Sequence, residues 1–405
     1  MNSFFKKILK GDTTLWIVFL ALCAVSAIEM YSASSTLAYK AANYSVPMLR
    51  HVRFLAIGIL LAYGIHLIPY KYIRVISYLG LILSIFLLII VQFKGVSEND
   101  ATRWFEIFGI RFQPSEIAKL SLVIVVADFI SRIKGDNPQE EKTFFWWIMG
   151  LTGVVCFLIF LENFSTALLL FLIVCLMLFI GRVSLKRLGI IIGAMMVVAV
   201  MGYFIVKATP AESMPGMFKR SHTWVARIDR FFESNEDSEK YVITDETRQQ
   251  KRASIAIARG GVFGVFPGNS IERDYLPQAY SDFIYAIIVE EMGLMGGIMV
   301  ILLYLILLFR AGQIATKCGS VFPALLVIGL SLMVVIQAFI SMSVATGLGP
   351  VTGQPLPLIS RGGTSIVLNC IYFGVILGVT RQIKEEQAKS NQINDEIPVV
   401  ELDKL

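Results

Sequence analysis

Residues Ile73 to Phe93 read IRVISYLGLILSIFLLIIVQF, twenty-one positions with one charge, Arg74, near the start. As an α-helix rising about 1.5 Å per residue, the run would measure roughly 30 Å, the thickness of a bilayer's hydrocarbon core. It is apolar on every side, which suits lipid and not a water-facing surface. Comparable runs recur along the chain, and ten helices are predicted at about 14–31, 52–69, 73–93, 113–133, 143–161, 165–181, 187–207, 280–310, 320–346 and 363–384. Composition agrees: of 405 residues 56% are hydrophobic and 16% charged, against roughly 25% charged in an ordinary soluble domain. The expected fold class is all-α, a polytopic membrane protein of about ten transmembrane helices with a large extracytoplasmic loop between helices 7 and 8. One transmembrane domain is expected over 1–385, loop 207–279 included, followed by a polar, disordered cytoplasmic tail over 386–405.

An even number of spans puts both termini on one side. The short loops carrying Lys71 and Arg74, then Arg132, Lys134 and Lys142, then Arg182, Lys186 and Arg187, then Arg310 and Lys317, all fall on the side of Lys6, Lys7 and Lys10. By the positive-inside rule that side is cytoplasmic. No small-residue cleavage pattern closes a short apolar region near the N-terminus, so a retained first helix is expected and not a cleaved leader. The net charge of +6 is spent in these loops and forms no stripe for nucleic acid. Of five cysteines, Cys23, Cys156, Cys175 and Cys370 lie inside apolar runs, and no disulfide framework or metal spacing follows.

The opposite side carries longer loops. The segment from Lys94 to Phe112 is polar, with Arg103 and Trp104. The segment from Lys207 to Ala279 is far longer, mixed in charge and rich in aromatics, among them Phe218, Trp224, Phe231, Phe232, Tyr241, Phe263, Phe266 and Tyr275, a composition that favours partial order over a solvated tether. A third, Thr346 to Gly363, reads TGLGPVTGQPLPLISRGG. Its Gly and Pro density prohibits a regular helix, so its backbone must be satisfied by protein or water, as in a cavity-lining segment.

The chain lacks G-x-x-x-x-G-K-[ST], H-E-x-x-H, C-x-x-C and G-x-S-x-G, so nucleotide-driven pumping, zinc peptidase and serine hydrolase readings lack their residues. With only His51, His66 and His222, a histidine base is poorly supplied, and carboxylates and cations remain. Gln113, Glu116 and Lys119 follow at i, i+3 and i+6 near the outer end of the fourth span. There Glu116 and Lys119 either pair to tie helices together, or Lys119 meets an anionic head group. Arg103-Trp104 is either an interfacial anchor or a phosphate contact. Glu162-Asn163-Phe164-Ser165-Thr166 reads as a turn and N-cap. Asp282, preceded by Ser281, opens the eighth span as either an N-cap or first-turn acid or a catalytic one, and Glu290 and Glu291 lie roughly 12 Å deeper, where at least one should meet a basic residue or water.

The blocks ATRWFEIFGIRFQPSEIAKL, GGVFGVFPGNS, YLPQAYSDFIYAIIVEEMGLMGG and TGLGPVTGQPLPLISRGGTS resemble, in order and spacing, the signatures of the SEDS (shape, elongation, division and sporulation) family, over essentially all ten helices. MYSASSTLAYKAANYSVPMLRHVRFLAIG and PYKYIR look more like the family's division branch than its elongation branch. The resemblance implies a peptidoglycan glycosyltransferase of the bacterial inner membrane that polymerises lipid II, the undecaprenyl-pyrophosphate-linked disaccharide pentapeptide, during septal wall synthesis. It implies as partners a class B penicillin-binding protein, a transpeptidase, with other division proteins. The family's essential aspartate falls on Asp282, the acid eight residues earlier on Asp274, and the R-W and Q-P-S-E-x-x-K blocks on Arg103 and on Gln113 through Lys119. Two departures stand out: the usual P-D-x-G-T turn is Glu162 to Thr166, and Arg361 stands where an aromatic is more usual, adding a cation near the outer cavity.

Attack of a sugar hydroxyl on an anomeric carbon needs a base, for which Asp282 is the candidate, and positive charge near the departing diphosphate. Arg103, Lys119 or a divalent cation, Mg or Mn, would supply it; no organic cofactor is expected. A lipid II flippase, an elongation-type polymerase and a non-catalytic division scaffold are the competing readings. The small residues Gly293, Gly296 and Gly297 permit either a partner's close approach or packing within the protein.

Overall fold

The structure, a computed structural model, describes residues 10–33, 45–98, 101–107, 110–133, 137–210, 213, 221–233, 248–276 and 279–396. Among these, ten helices have seventeen residues or more: α1 Thr13–Ala33, α2 Ser45–Leu67, α3 Tyr70–Lys94, α4 Pro114–Ser131, α5 Pro138–Phe160, α6 Phe164–Ile180, α7 Leu185–Ala208, α11 Ile284–Ala315, α12 Val321–Ala345 and α13 Gly363–Glu396. Between α7 and α11 lie α8 Ser221–Glu233, α9 Arg248–Gly260 and the single turn α10 Glu272–Tyr275. Eight of the long helices are long and apolar enough to cross a membrane. The other two are α4, which holds Glu116, Lys119 and Asp128 within eighteen residues, and α6, which has seventeen residues. The ten-helix expectation therefore holds.

Local chemistry sets the helix starts. Asn137 caps α5, its side chain accepting from the Gln139 and Glu140 amides at 3.1 and 3.4 Å ahead of Pro138 in the first turn. Asn163 caps α6 by accepting from Thr166 N at 3.3 Å, so the ENFST turn is an N-cap as expected. In the interior lie α4, α12 and α13, with α2 packed along α13, α12 between α4 and α11, and α3 along α4. Close packing requires glycine at Gly374, where an added β-carbon would stand 2.7 Å from Ala62 O. Helix α7 has none of its apolar window enclosed by protein, and its Ile190, Val198 and Phe204 side chains face outward.

Both described ends meet at one end of the bundle. Arg310 at the end of α11 pairs with Asp12 at 2.9 Å, Asp12 N donates to Thr380 Oγ1 at 3.0 Å, and Lys384 reaches Gly11 O at 2.6 Å. At the same end Asp128, wholly buried, draws in Arg132 at 2.7 Å together with Arg74 and Tyr78, locking α3 to α4. That cluster accounts for the third charge in α4, which the sequence reading passed over.

Three features differ from expectation. The segment before α4 forms a meander of short antiparallel strands, β1 Val96–Glu98, β2 Ala101–Ile107 and β3 Ile110–Phe112, with Phe105 stacked on Phe112 at 5.7 Å. The tail read as starting at 386 is helical to Glu396: the run Lys384–Lys389 contains only strong helix formers, the Arg381–Glu385 pair at 3.0 Å supports it, and no Pro or Gly intervenes. Residues 397–405, with Lys6, Lys7, Lys134, Phe218 and Tyr241, lie outside the described residues.

Third, α11 is broken. Gly293 adopts φ 68°, ψ −174°, and the gap is filled by the turn Gly261–Phe266 from the large loop. Val265 N and Phe266 N donate to the carbonyls of Glu290 and Glu291 at 3.0 and 2.8 Å, while Leu294 N and Met295 N donate to Gly261 O and Val262 O at 2.9 and 3.4 Å. The backbone groups orphaned by the break are thus satisfied by the turn. Gly260, Gly264 and Gly293 allow this approach, since a β-carbon at each would strike the other segment's backbone. Gly296 and Gly297 are buried and face α11's own Met292, Val289 and Tyr285, so the small residues serve packing within the protein.

Below the break a buried polar layer forms. Glu290 accepts from Ile271 N at 3.1 Å and pairs with Arg259 at 3.3 Å, and Glu291 accepts from Ser270 N at 3.3 Å and from Ser32 Oγ, with Arg273 at 3.7 Å. Both acids find basic partners. Glu29 on α1, fully buried, has neither carboxylate oxygen hydrogen-bonded. A buried carboxyl without a partner costs stability. Glu29→Met should therefore stabilise the protein by about 1–3 kcal/mol, the cost of such a group. Thermal unfolding in detergent reads it as a raised Tm; a lowered Tm would show that Glu29 has a stabilising role.

Candidate functional site

The Gly- and Pro-rich segment 346–362 has no regular structure, and side chains from several helices hold its backbone. Arg227 of α8 donates to Val351 O at 3.1 Å, Gln337 of α12 to Pro355 O at 3.0 Å, and Tyr304 of α11 to Pro357 O at 2.5 Å. Ser26 of α1 donates to Ile359 O at 3.2 Å. The segment returns a side-chain bond from Gln354 Nε2 to Thr166 Oγ1 at 2.6 Å, at the N-terminus of α6. Helix α8 is positioned for its contact by Trp224, which lies against Phe160 and Phe164 at 4.8 and 5.5 Å, and by the Asp229 carboxylate, held below the usual carboxylate range by the Tyr203 hydroxyl and Lys207. Backbone that is irregular within a membrane protein is satisfied here by protein, as the sequence required.

Asp282 lies in the turn against this segment. Helix α11 begins at Ile284 with Phe283 at its N-cap position, so Asp282 stands two residues ahead of the helix and is not its cap. Ser281 Oγ donates to Asp282 Oδ1 at 2.9 Å, and Ser281 O accepts from Ser360 Oγ at 2.6 Å. Gly353, at φ 68°, runs so near that an added β-carbon would stand 3.6 Å from Asp282 Oδ2. Arg361 N donates to Tyr280 O at 2.9 Å, and the Arg361 guanidinium lies 5.1 Å from the Tyr280 ring centre. Arg361 is thereby fixed against Tyr280, two residues before the half-buried Asp282 on the same turn.

The α4 pair reaches the same segment from the other side. Lys119 Nζ lies 2.6 Å from Glu116 Oε1 and 3.3 Å from Gln337 Oε1, with no exposed surface. Glu116 and Lys119 do pair, and the pair supports the segment through Gln337 and Pro355. Gln113 is the residue before α4 and its side chain makes no cap bond. Asp274 sits half exposed on α10, with Arg273 Nε at 3.9 Å, and belongs to the layer around Glu291. Arg103 lies on β2, outside the residues whose side chains are described; its hairpin meets the segment's end through Thr364 Oγ1, which donates to Arg111 O at 3.1 Å. Sequence reasoning missed Gln337, Gln354 and Ser360. The signal was present: Gln337 is an amide in a helix otherwise built of apolar and small residues, where a polar group is retained only if it has a partner. Among the described residues no three His, Cys, Asp or Glu side chains gather to hold a metal ion.

The family described as cell cycle protein, the FtsW/RodA/SpoVE family, matches residues 12–385. A relative from Hahella chejuensis named probable peptidoglycan glycosyltransferase FtsW is 30% identical over 94% of this chain and 92% of its own length. Its namesake from Bacillus subtilis is 31% identical over 96% and 95%. Among solved structures, a chain from a study of polymerization and crosslinking by a peptidoglycan synthase complex superposes with a TM-score of 0.74 at 22% identity, covering 92% of this chain and 98% of that one. The rod shape determining protein RodA of Thermus thermophilus superposes at 0.63 and 23% identity, covering 93% and 98%. At these identities the two structures speak for the fold.

Proposed function

The chain belongs to the FtsW/RodA/SpoVE family of cell cycle proteins, and on that premise we propose that it is a peptidoglycan glycosyltransferase of the division branch, polymerising lipid II into glycan strands. The observation that carries the reading is the setting of Asp282: a half-buried carboxylate on a non-helical turn, with the irregular segment against it at Gly353 and the Arg361 guanidinium over Tyr280 on the same turn. On this reading the acceptor hydroxyl and the lipid-anchored diphosphate meet at that turn.

The acceptor sugar's hydroxyl gives its proton to Asp282 as its oxygen bonds to the donor's anomeric carbon, and the bond from that carbon to the diphosphate oxygen breaks. Ser281 orients the carboxylate. Arg361, with Arg103 on the neighbouring hairpin, offers positive charge to the departing diphosphate. Lys119, enclosed and neutralised by Glu116, acts by holding the segment. A divalent cation, Mg or Mn, would neutralise the diphosphate when bound; with no cluster of three protein ligands among the described residues, it would draw most of its ligands from the diphosphate and water.

A class B penicillin-binding protein is the proposed partner, a transpeptidase that crosslinks the product, with other division proteins around it. The outward face of α12 and the outer loops beside it are the proposed contact. The protein sits in the bacterial inner membrane, at the septum, with both termini cytoplasmic, consistent with the meeting of Gly11 and Lys384. Two measurements test the reading. Purified protein with its transpeptidase should convert lipid II to polymer, whereas lipid movement across vesicles without polymer would favour a flippase. In a variant lacking native cysteines, Ser254→Cys on α9 should label from outside the cell; labelling only from the cytoplasm would overturn the topology.

A further inference from the structure

The stretch from Gly260 to Ile271, GGVFGVFPGNSI, carries no charge. Its turn is hydrogen-bonded to α11 at Leu294 and Met295. Leu294 stands sixteen residues before Arg310, roughly 24 Å along the helix, and Arg310 marks the charged end of the span by its pairing with Asp12. A hydrocarbon core is about 30 Å thick, so the attachment point lies at membrane depth. From there α11 shows an apolar row to the outside: Leu294, Met295, Ile298, Leu302, Leu305 and Phe309. The turn extends that row, with Val262 56%, Phe263 74% and Phe266 70% exposed.

The charges flanking the turn point the other way. Arg259 reaches Glu290 at 3.3 Å, Glu272 is taken by Arg252 at 3.3 Å, and Arg273 turns inward to Ser32 at 2.8 Å and Glu291 at 3.7 Å. Bonds to the broken helix occupy the backbone groups of Gly261, Val262, Val265 and Phe266. Backbone tied to the broken helix, inward charges and outward aromatics are what a segment in contact with lipid needs.

We propose that the turn Gly261–Phe266 is a membrane anchor of the large loop, with Val262, Phe263 and Phe266 seated among the acyl chains beside α11. The occupant of this apolar surface is bilayer lipid, because the surface continues the lipid-facing row of a membrane span. The anchor ties the chain between α9 and α10 to the depth of the bilayer, and through α10 it sets where the segment leading to Asp282 begins. The proposal rests on the membrane reading of α11 and not on the glycosyltransferase reading, so either can fail alone.

The test uses full-length protein in vesicles of phosphatidylcholine and phosphatidylglycerol, with native cysteines replaced and a nitroxide attached at Phe263→Cys or, separately, Phe266→Cys. Leu302→Cys on α11 and Ser254→Cys on α9 serve as lipid and water references. Power saturation with oxygen and with a water-soluble nickel chelate should show the accessibility order of Leu302 at both turn positions, oxygen above nickel, reversed from that at Ser254. Nickel access above oxygen at positions 263 and 266 overturns the anchor. So does low access to both reagents, which would place the turn against another protein chain.

Discussion

Asp282→Asn should lower lipid II polymerisation by at least about 10²-fold, the usual loss on removing a general base, while the protein still inserts and binds its transpeptidase. The geometry makes the variant clean. Asparagine keeps an Oδ1 to accept from Ser281 Oγ, so the 2.9 Å bond and the Ser281–Ser360 link behind it survive. Asp282 lies two residues ahead of α11, whose N-cap position is taken by Phe283. What disappears is the proton acceptor and its negative charge. Asp274→Asn should be milder, since that carboxylate is half exposed on α10 and 3.9 Å from Arg273 Nε, in the layer around Glu291. The measurement is lipid II turnover by each variant in complex with the transpeptidase. Wild-type turnover by a correctly inserted Asp282→Asn protein would remove Asp282 from the chemistry.

The span pattern was legible because lipid imposes one rule on every residue of a membrane helix, and a run such as Ile73–Phe93 satisfies it by composition alone. The Gly- and Pro-rich segment was legible for the complementary reason: its residues forbid a helix. What anchors that segment was not legible, since Ser26, Ser281 and Gln337 lie outside it in sequence and only folding brings them to it. The break in α11 was also hidden. EEMGLMGG reads as a helix with small residues, and only the turn donating to Glu290 O and Glu291 O makes a left-handed Gly293 favourable. Asp282 was found, but its capping role was not there to find, because Phe283 takes that position.

The α4 pair distinguishes support from chemistry, and Lys119→Met is the variant that separates them. It leaves the Glu116 carboxylate buried without its cation, which typically costs about 3–5 kcal/mol. Protein in detergent should accordingly unfold at a much lower temperature, and Glu116→Gln alone should also destabilise, by stranding the buried ammonium. Lys119→Met combined with Glu116→Gln removes both charges at once and should regain most of the loss, as expected when a buried pair is replaced whole. The double variant still lacks the 3.3 Å bond from Lys119 to Gln337, worth about 1 kcal/mol, but Gln337 keeps its own bond to Pro355 O and the segment stays near Asp282. Polymerisation by the double variant should therefore recover along with its stability. If Lys119 instead meets the substrate's diphosphate during the reaction, the double variant will be stable and inactive, with lipid II binding lost. Thermal unfolding together with lipid II turnover decides between them, and the complete enclosure of Lys119 beside Glu116 favours recovery.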